Sequence, residues 1–316
     1  MSIDITVAIP TYNGEVRLPR VLDALRSQQH TDSFSWEVVV IDNNSTDNTA
    51  QVVRTYQQTW PSTYPLSYAI ESQQGLAFAR QRAVQVANGD LVAFVDDDNL
   101  PAADWLQQVY DFAQRHPHAG AFSGQIHGEF ETSPPAGFEA IAPYLAIREH
   151  GEVPFRFHPE RLQLPPGAGL VVRKQAWCES VPPSLKLIGR VGKQYLAGED
   201  YEALLYLHHQ GWEIWYNPAM HLAHLVPQYR LERDYLLPLA YGIGLATCHL
   251  RTIGAGPTTI PIIVTRTLLG NLRRLAMHVG KHGPQVNTDL LSAFKLRFFW
   301  GSFISPWIYW QSSRKS

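Results

Sequence analysis

The stretch Leu91-Val92-Ala93-Phe94-Val95-Asp96-Asp97-Asp98-Asn99 decides the fold. Five apolar residues rich in valine predict a buried β-strand, and the strand runs straight into three carboxylates. Carboxylates at a strand end are held on a rigid support. Two of them in one loop suit a hard divalent ion that also binds phosphate oxygens, as Mg or Mn does. An acidic triplet standing alone reads more readily as a solvated turn. A calcium-loop reading fails, because with Asp96 as first ligand Pro101 stands where glycine is required and Gln107 where the closing glutamate belongs.

Toward the N-terminus, strand and helix signals alternate. Gly75 to Ala87 has helical spacing, with Leu76, Ala79, Ala83 and Val86 on one face and Asn88-Gly89 as its stop. Leu66–Ile70 reads as a strand, and a helix is expected from about Asn48 to Gln58. Glu37 to Ile41 is a β-branched strand that ends in Asp42-Asn43-Asn44-Ser45-Thr46-Asp47, a loop of helix-capping residues. Arg17 to Arg26 carries Leu18, Val21, Leu22 and Leu25 at helical spacing, and Ile5 to Ile9 is an apolar strand stopped by Pro10 before Asn13-Gly14. Repeated β–α units of this kind predict a parallel sheet with helices on both faces. Ligands of such sheets bind beyond the carboxyl ends of the strands. Thr11-Tyr12-Asn13, Asp42–Asp47 and Asp96–Asn99 all fall at those ends, which places a site. Only Gly14 follows the first strand and no Walker lysine motif occurs, so dinucleotide-dehydrogenase and P-loop readings are weak.

Toward the C-terminus, Pro101 is expected to start a helix with Trp105, Leu106, Val109, Phe112 and Ala113 facing inward. From residue 117 the pattern turns irregular, with Pro134-Pro135, Pro154, Pro159 and Pro165-Pro166 marking long loops. Gly167 to Val172 reads as a strand, Glu199-Asp200 open a helix that Gly211 ends, and Glu213 to Tyr216 is a further strand.

Single residues suggest roles that bland readings match. Tyr12 can stack on a base, and Asp42 can accept a hydrogen bond from a base or ribose, yet both also serve as strand-end packing and turn residues. Arg80 can neutralise a phosphate or merely decorate a helix. Asp200 can act as a general base aimed at the sheet-end cleft, or favour a helix N-terminus together with Glu199. His224 can complete a metal site or be a satisfied structural histidine.

Their order and spacing single out one family. Ile9-Pro10-Thr11-Tyr12-Asn13, Asp42 to Asp47, Gly75 with Ala79-Arg80, Asp96-Asp97-Asp98, Gly198-Glu199-Asp200, Gly211-Trp212 and Asn217-Pro218 with His224 together resemble the family 2 glycosyltransferases, over about residues 3–226. Among these, bacterial members that build exopolysaccharide are the nearest in impression. The resemblance implies a GT-A fold, a Rossmann-like mixed sheet for nucleoside-diphospho-sugars, and an inverting reaction. It implies that Pro10, Tyr12, Asp42, Arg80 and Asp96 contact the nucleotide, here expected to be UDP-linked, and that Asp98, Asp96 and His224 hold Mg or Mn. Asp200, with Glu199 beside it, matches the catalytic base. Asn99 stands where many relatives carry another aspartate. Gln228-Tyr229-Arg230 does not supply a Gln-x-x-Arg-Trp motif, which puts processive polymer synthesis in doubt. The expected acceptor is a glycan or lipid-linked hydroxyl. Two other readings stay open: a non-catalytic nucleotide- or sugar-binding subunit of a polysaccharide assembly complex, and a nucleotidyltransferase.

A chain of 316 residues exceeds what one core usually fills, so a catalytic domain over 1–229 and a helical extension over 230–316 are expected. Charge divides the same way. Residues 1–229 carry 15 basic against 25 acidic side chains, whereas residues 230–316 carry 11 against 3. Phe294 to Trp310 is dense in aromatics, flanked by Lys295, Arg297, Arg314 and Lys315. Such a tail suits the interface of an anionic bilayer, or packing on protein. A second apolar segment, Thr259 to Val279, carries Arg266, Arg273 and Arg274. No run of 18 uncharged apolar residues occurs, and residues 1–6 lack a basic leader, so neither a spanning helix nor a signal peptide is expected. Two unpaired cysteines, Cys178 and Cys248, fit a reducing compartment. The expected location is the cytoplasm, with peripheral contact at the cytoplasmic membrane face, and no nucleic-acid partner.

Overall fold

A computed structural model describes residues 3–189 and 196–313; Arg314 and Lys315 of the basic tail end, and Met1 and Ser2, lie outside the described residues. The first half follows the alternating pattern. β1 (Ile3–Thr11), α1 (Leu18–Arg26), β2 (Trp36–Asp42), α2 (Thr49–Thr59), β3 (Leu66–Ile70), α3 (Leu76–Val86) and β4 (Gly89–Phe94) succeed one another. β3, β2, β1 and β4 pair in parallel in that spatial order.

Alternation along β1 sends its residues to two cores. Ile5, Val7 and Ile9 pack with Leu18, Leu22 and Val53 on one face of the sheet. Ala8 packs with Val39, Ile41, Ala79 and Ala83 on the other. Both faces being covered explains why these strands are almost continuously apolar.

Beyond β4 the sheet is mixed, as the resemblance implied. It continues through β5 (Asn99–Pro101), α4 (Trp105–Arg115), β6 (Ala119–Phe130), β7 (Phe155–Arg156), β8 (Val171–Arg173), α5 (Lys174–Ser180), α6 (Glu199–His209) and β9 (Glu213–Val226). The spatial order β3-β2-β1-β4-β8-β6-β9-β5 makes β8 antiparallel to both β4 and β6. The parallel sheet predicted from the β–α repeats therefore holds for β1 to β4, and β8, arriving after a long excursion, enters from the opposite direction.

Three local expectations are corrected. Pro101 does not start a helix. It ends β5, which pairs antiparallel with Leu222–His224, and α4 begins at Trp105. Proline is tolerated there because β5 is an edge strand. Gly167–Leu170 is loop, and only Val171–Arg173 form a strand. The segment after residue 117 holds two of the longest strands. β6 and β9 pair in parallel across Asn217-Pro218, with register shifts between Ala119 and Ala121 and between Ser123 and Gln125. A Cβ on Gly124 would run into the backbone of Met220, so only glycine permits that approach.

Gln228–Leu231 form one tight turn, after which α7 (Arg233–Thr252), α8 (Ile260–His282) and α9 (Leu290–Ser313) complete the chain. α7 and α9 meet at two glycines. A side chain on Gly244 would strike the carbonyl of Phe298, and one on Gly301 the carbonyl of Tyr241. Leu236, Leu239, Ala240 and Phe294 then form a core with Phe138, Ile141 and Leu145 from the long loop after β6. No described helix is long and apolar enough to cross a membrane.

Candidate active site

Two loops at the carboxyl edge of the sheet are tied to each other before any ligand is considered. Asn13 and Asn44 adopt left-handed backbone conformations, φ 50° and 67°, which asparagine tolerates better than most residues. Asn13 donates its backbone N–H to Ser45 Oγ at 2.9 Å, and its side-chain oxygen accepts from the Thr46 N–H at 2.8 Å. The Gly14 N–H reaches Thr49 Oγ1 at 2.9 Å. Asn43 fastens the start of α3, accepting from the Gly75 N–H at 2.7 Å and donating to the carbonyls of Glu71 and Gln73. These bonds fix the rim that carries Pro10 and Tyr12, with Tyr12 45 % exposed above the cleft.

The three consecutive aspartates have different tasks. Asp97 is consumed within the protein, accepting two bonds from the Arg17 guanidinium at 2.9 Å each and one from Thr11 Oγ1 at 2.6 Å. Asp98 meets His224, with Oδ2 3.6 Å from Nε2. The antiparallel register explains that meeting, since Asn99 on β5 is opposite His224 on β9 and the Leu225 N–H bonds to the Asp98 carbonyl at 2.9 Å. Arg230, from the turn after β9, donates to Asp98 Oδ2 at 2.8 Å and comes within 3.1 Å of His224 Nε2. Burial opposes ionisation of Asp98, but His224 and Arg230 outweigh it and hold the carboxyl below its usual range.

Asp96 faces Arg80 at 3.5 Å, and Arg80 also pairs with Glu199 at 3.3 Å. Arg80 is buried, with its guanidinium 5.7 Å from the centre of the Phe94 ring. Burial alone would favour the neutral form of Arg80, but Asp96, Glu199 and Asp200 keep it charged. The carboxyls of Asp96 and Glu199 are both raised, first by removal from water and then by neighbouring carboxylates. Asp200 sits in the first turn of α6, where one oxygen accepts the Gly167 N–H at 2.8 Å and the other the Tyr201 N–H at 2.8 Å.

One cleft of about 870 Å³ gathers these groups. Pro10, Tyr12, Arg80, Asp96, Asp98, Glu199, Asp200 and His224 all line it. Asp42 does not: its carboxylate is buried, bonded to the Tyr68 hydroxyl and the Ser45 N–H, while its neighbour Asn43 lines the cleft. Among the described residues no group of three His, Cys, Asp or Glu side chains converges as a metal site. Asp98 and His224 are the close pair, and Asp96 turns to Arg80 instead. Sequence reading passed over Arg17, Arg148 and Arg230, all of which line the cleft. For Arg230 the available signal was its position six residues after His224, on the chain leaving β9.

The family model described as Glycosyl transferase family 2 matches residues 6–163, half of the 316-residue chain. The chain belongs to the family 2 glycosyltransferases. The dolichyl-phosphate beta-glucosyltransferase ALG5A of Trichomonas vaginalis is 32 % identical over 108 residues, 33 % of each chain. The validoxylamine A glucosyltransferase of Streptomyces hygroscopicus subsp. limoneus is 29 % identical over 170 residues, 48 % of this chain and 34 % of that protein. The match thus spans about a third of the length of these curated relatives. A solved family-like fold is that of the mannosyltransferase PcManGT from Pyrobaculum calidifontis, solved with GDP-Man and Mn2+. It covers 98 % of this chain and 88 % of its own at a TM-score of 0.61 and 18 % identity, which establishes the GT-A arrangement.

Proposed function

We propose that the protein is an inverting glycosyltransferase that moves a sugar from a nucleoside-diphosphate donor, UDP-linked in the first instance, to an acceptor hydroxyl in cell-surface glycan synthesis. The observation that carries this reading is the sharing of one cleft by Asp200 and by the Asp98–His224 pair. Asp200 takes the proton from the acceptor hydroxyl as that oxygen attacks the anomeric carbon, and the bond to the diphosphate breaks in the same displacement. Two main-chain N–H groups fix its carboxylate, so the base is aimed before substrate arrives. Tyr12 at the rim stacks on the base, Asp42 and Asn43 lie behind it, and Arg80 with Asp96 borders the ribose and phosphates. Asp98 and His224 suit a divalent ion: an imidazole and a carboxylate stand 3.6 Å apart, and a guanidinium already drawn to them attests a field that favours cations. Such an ion usually takes its remaining ligands from water and substrate phosphates. When bound, it supplies charge neutralisation to the departing diphosphate.

Residues 230–316 are proposed as a helical extension that rests on a membrane face. α8 supports this by its inverted pattern. The positions it buries are Thr267, Asn271, Leu275 and His278, mostly polar. Leu268, Leu269, Leu272, Met277 and Val279 face outward instead, with Leu269 58 % and Met277 62 % exposed. Arg266, Arg273 and Arg274 are exposed among them, and Trp300, Trp307 and Trp310 are exposed along α9. Outward apolar residues interleaved with cations suit the interface of an anionic bilayer.

The activity is tested by incubating the purified chain with Mg or Mn and a panel of nucleoside-diphosphate sugars, and assaying release of the nucleoside diphosphate. Release that depends on an added hydroxyl acceptor is the expected result. A product carrying the nucleotide would replace this reading with nucleotidyl transfer. Failure of every donor to bind folded protein would remove catalysis altogether.

A further inference from the structure

The cleft sets polar groups against one apolar wall. The sheet edge supplies the groups that suit a nucleoside diphosphate, and α7 supplies the wall. Tyr235, Leu239, Ile243, Ala246 and Leu250 all line the cleft. Their spacings of four, four, three and four residues put them on one face of the helix. The stripe therefore runs about 22 Å along α7, at about 1.5 Å per residue. Tyr144 from the long loop and Phe298 from α9 line the same cavity. Leu239, Ala246 and Leu250 are buried in the cores, whereas Tyr235, Ile243, Tyr144 and Phe298 are only partly buried, so the surface this wall offers is chiefly theirs.

Such a lane has no use for the donor. A diphosphate and a sugar are polar throughout, and apolar walls give them no hydrogen bonds in exchange for lost water, while the base face is already met by Tyr12 at the rim. Its near end lies at Asp200, because Ala246 and Leu250 lie against Gly198, two residues before the base. Arg148 lines the cleft beside the Tyr201 hydroxyl and brings a cation to that end.

We infer that the α7 face is an acceptor subsite for an amphiphile, with its long hydrocarbon chain along Tyr235, Ile243, Tyr144 and Phe298 and an anionic group at Arg148. This assignment rests on the glycosyltransferase reading of the same cleft and specifies its acceptor. A hydrocarbon chain gains by leaving water for this wall, in proportion to the apolar area it covers. The reacting hydroxyl is then presented at Asp200 by the length of what precedes it. Isoprenoid and straight acyl chains share the required chemistry.

The test is calorimetric titration of the full chain with farnesyl phosphate, dodecyl phosphate and inorganic phosphate, each below any micelle concentration, and with UDP and GDP in parallel. Both amphiphiles are expected to bind at least about tenfold more tightly than inorganic phosphate. A preference for farnesyl phosphate would assign an isoprenoid chain, and equal binding a lane that accepts either. Ile243→Asn, with Ile243→Ala as a milder second variant, is expected to weaken amphiphile binding about tenfold while nucleoside-diphosphate binding stays unchanged. Leu269→Asn on the outward face of α8 is expected to leave the cleft titration unchanged. Nucleotide binding with no amphiphile binding, or amphiphile binding indifferent to both Ile243 variants and lost with Leu269→Asn, overturns the subsite and leaves the glycosyltransferase reading standing. Folded protein that binds neither nucleotide overturns that reading, and the subsite with it.

Discussion

Arg230 donates to Asp98 Oδ2 at 2.8 Å and approaches His224 Nε2 at 3.1 Å, so a protein cation stands at the pair proposed to hold a divalent ion. An ion entering there has to displace the guanidinium. Arg230→Ala is therefore expected to tighten Mn2+ binding in the absence of nucleotide by about tenfold. Titration followed by the electron paramagnetic resonance of free Mn2+ reads this directly. Unchanged or weaker binding would show that Arg230 does not compete for the site.

Asp200→Asn keeps the size of the side chain and removes its ability to take a proton. Transfer is expected to fall about 10²–10⁴-fold, as is usual when a general base is lost. Binding of the nucleoside diphosphate should stay within twofold of the parent, at about the precision of calorimetry. Near-normal turnover by a folded variant would take the base assignment away from Asp200.

Gly167→Ala tests the buried ion pairs. A Cβ at residue 167 would overlap the guanidinium of Arg80, which is held between Asp96 and Glu199. Moving that guanidinium leaves buried carboxylates unpaired, a change that typically costs about 3–5 kcal/mol. Urea unfolding should show a large loss of stability together with loss of nucleotide binding. A variant as stable as the parent would mean that Arg80 relaxes freely.

The outward face of α8 is tested by flotation with vesicles containing anionic lipid at low salt. Leu268, Leu269 and Leu272 changed together to Gln should abolish binding. Neutralising Arg266, Arg273 and Arg274 should weaken it by about 1 kcal/mol per charge. If the full chain fails to float at all, the face is a protein contact and not a lipid one. Truncation before α7 is a poor substitute, because α7 and α9 share a core with Phe138, Ile141 and Leu145.

The two cysteines should react at very different rates. Cys178 is exposed, whereas burial pushes the Cys248 thiol up to about 11. At pH 8 only about one Cys248 in a thousand carries the reactive thiolate. A disulfide reagent is expected to titrate one thiol quickly in native protein and the second only on unfolding. Two fast thiols would mean that the α7–α9 packing opens readily.

The β–α alternation of the first hundred residues was legible because each strand is a short apolar run and each helix repeats at 3.6 residues. Hydrophobic periodicity is a local property, so β1 to β4 and α1 to α4 could be read from the chain, with Pro101 as the exception. The same is true of the polar clusters at strand ends: Tyr12, Asp96 and Asp98 lie where the alternation places them, at the carboxyl edge. Family resemblance added Asp200 and His224, whose local surroundings said little.

Tertiary structure decided what local patterns could not. β6 and β9 were obscured by Gly120, Gly124 and Gly128 and by Asn217-Pro218, because glycine and proline signal turns unless a neighbouring strand demands them. Asp97 and Asp98 look alike in sequence, yet one is bound by Arg17 and the other by Arg230 and His224, partners 80 and more residues away. Asp42 was placed on the right strand, but Tyr68 and Ser45 claim its oxygens. The α7 stripe follows helical spacing, but spacing alone names no neighbour. Only the chain's return past residue 230 brings that stripe to the cleft, because burial is set by what packs against a face and not by the residues that compose it.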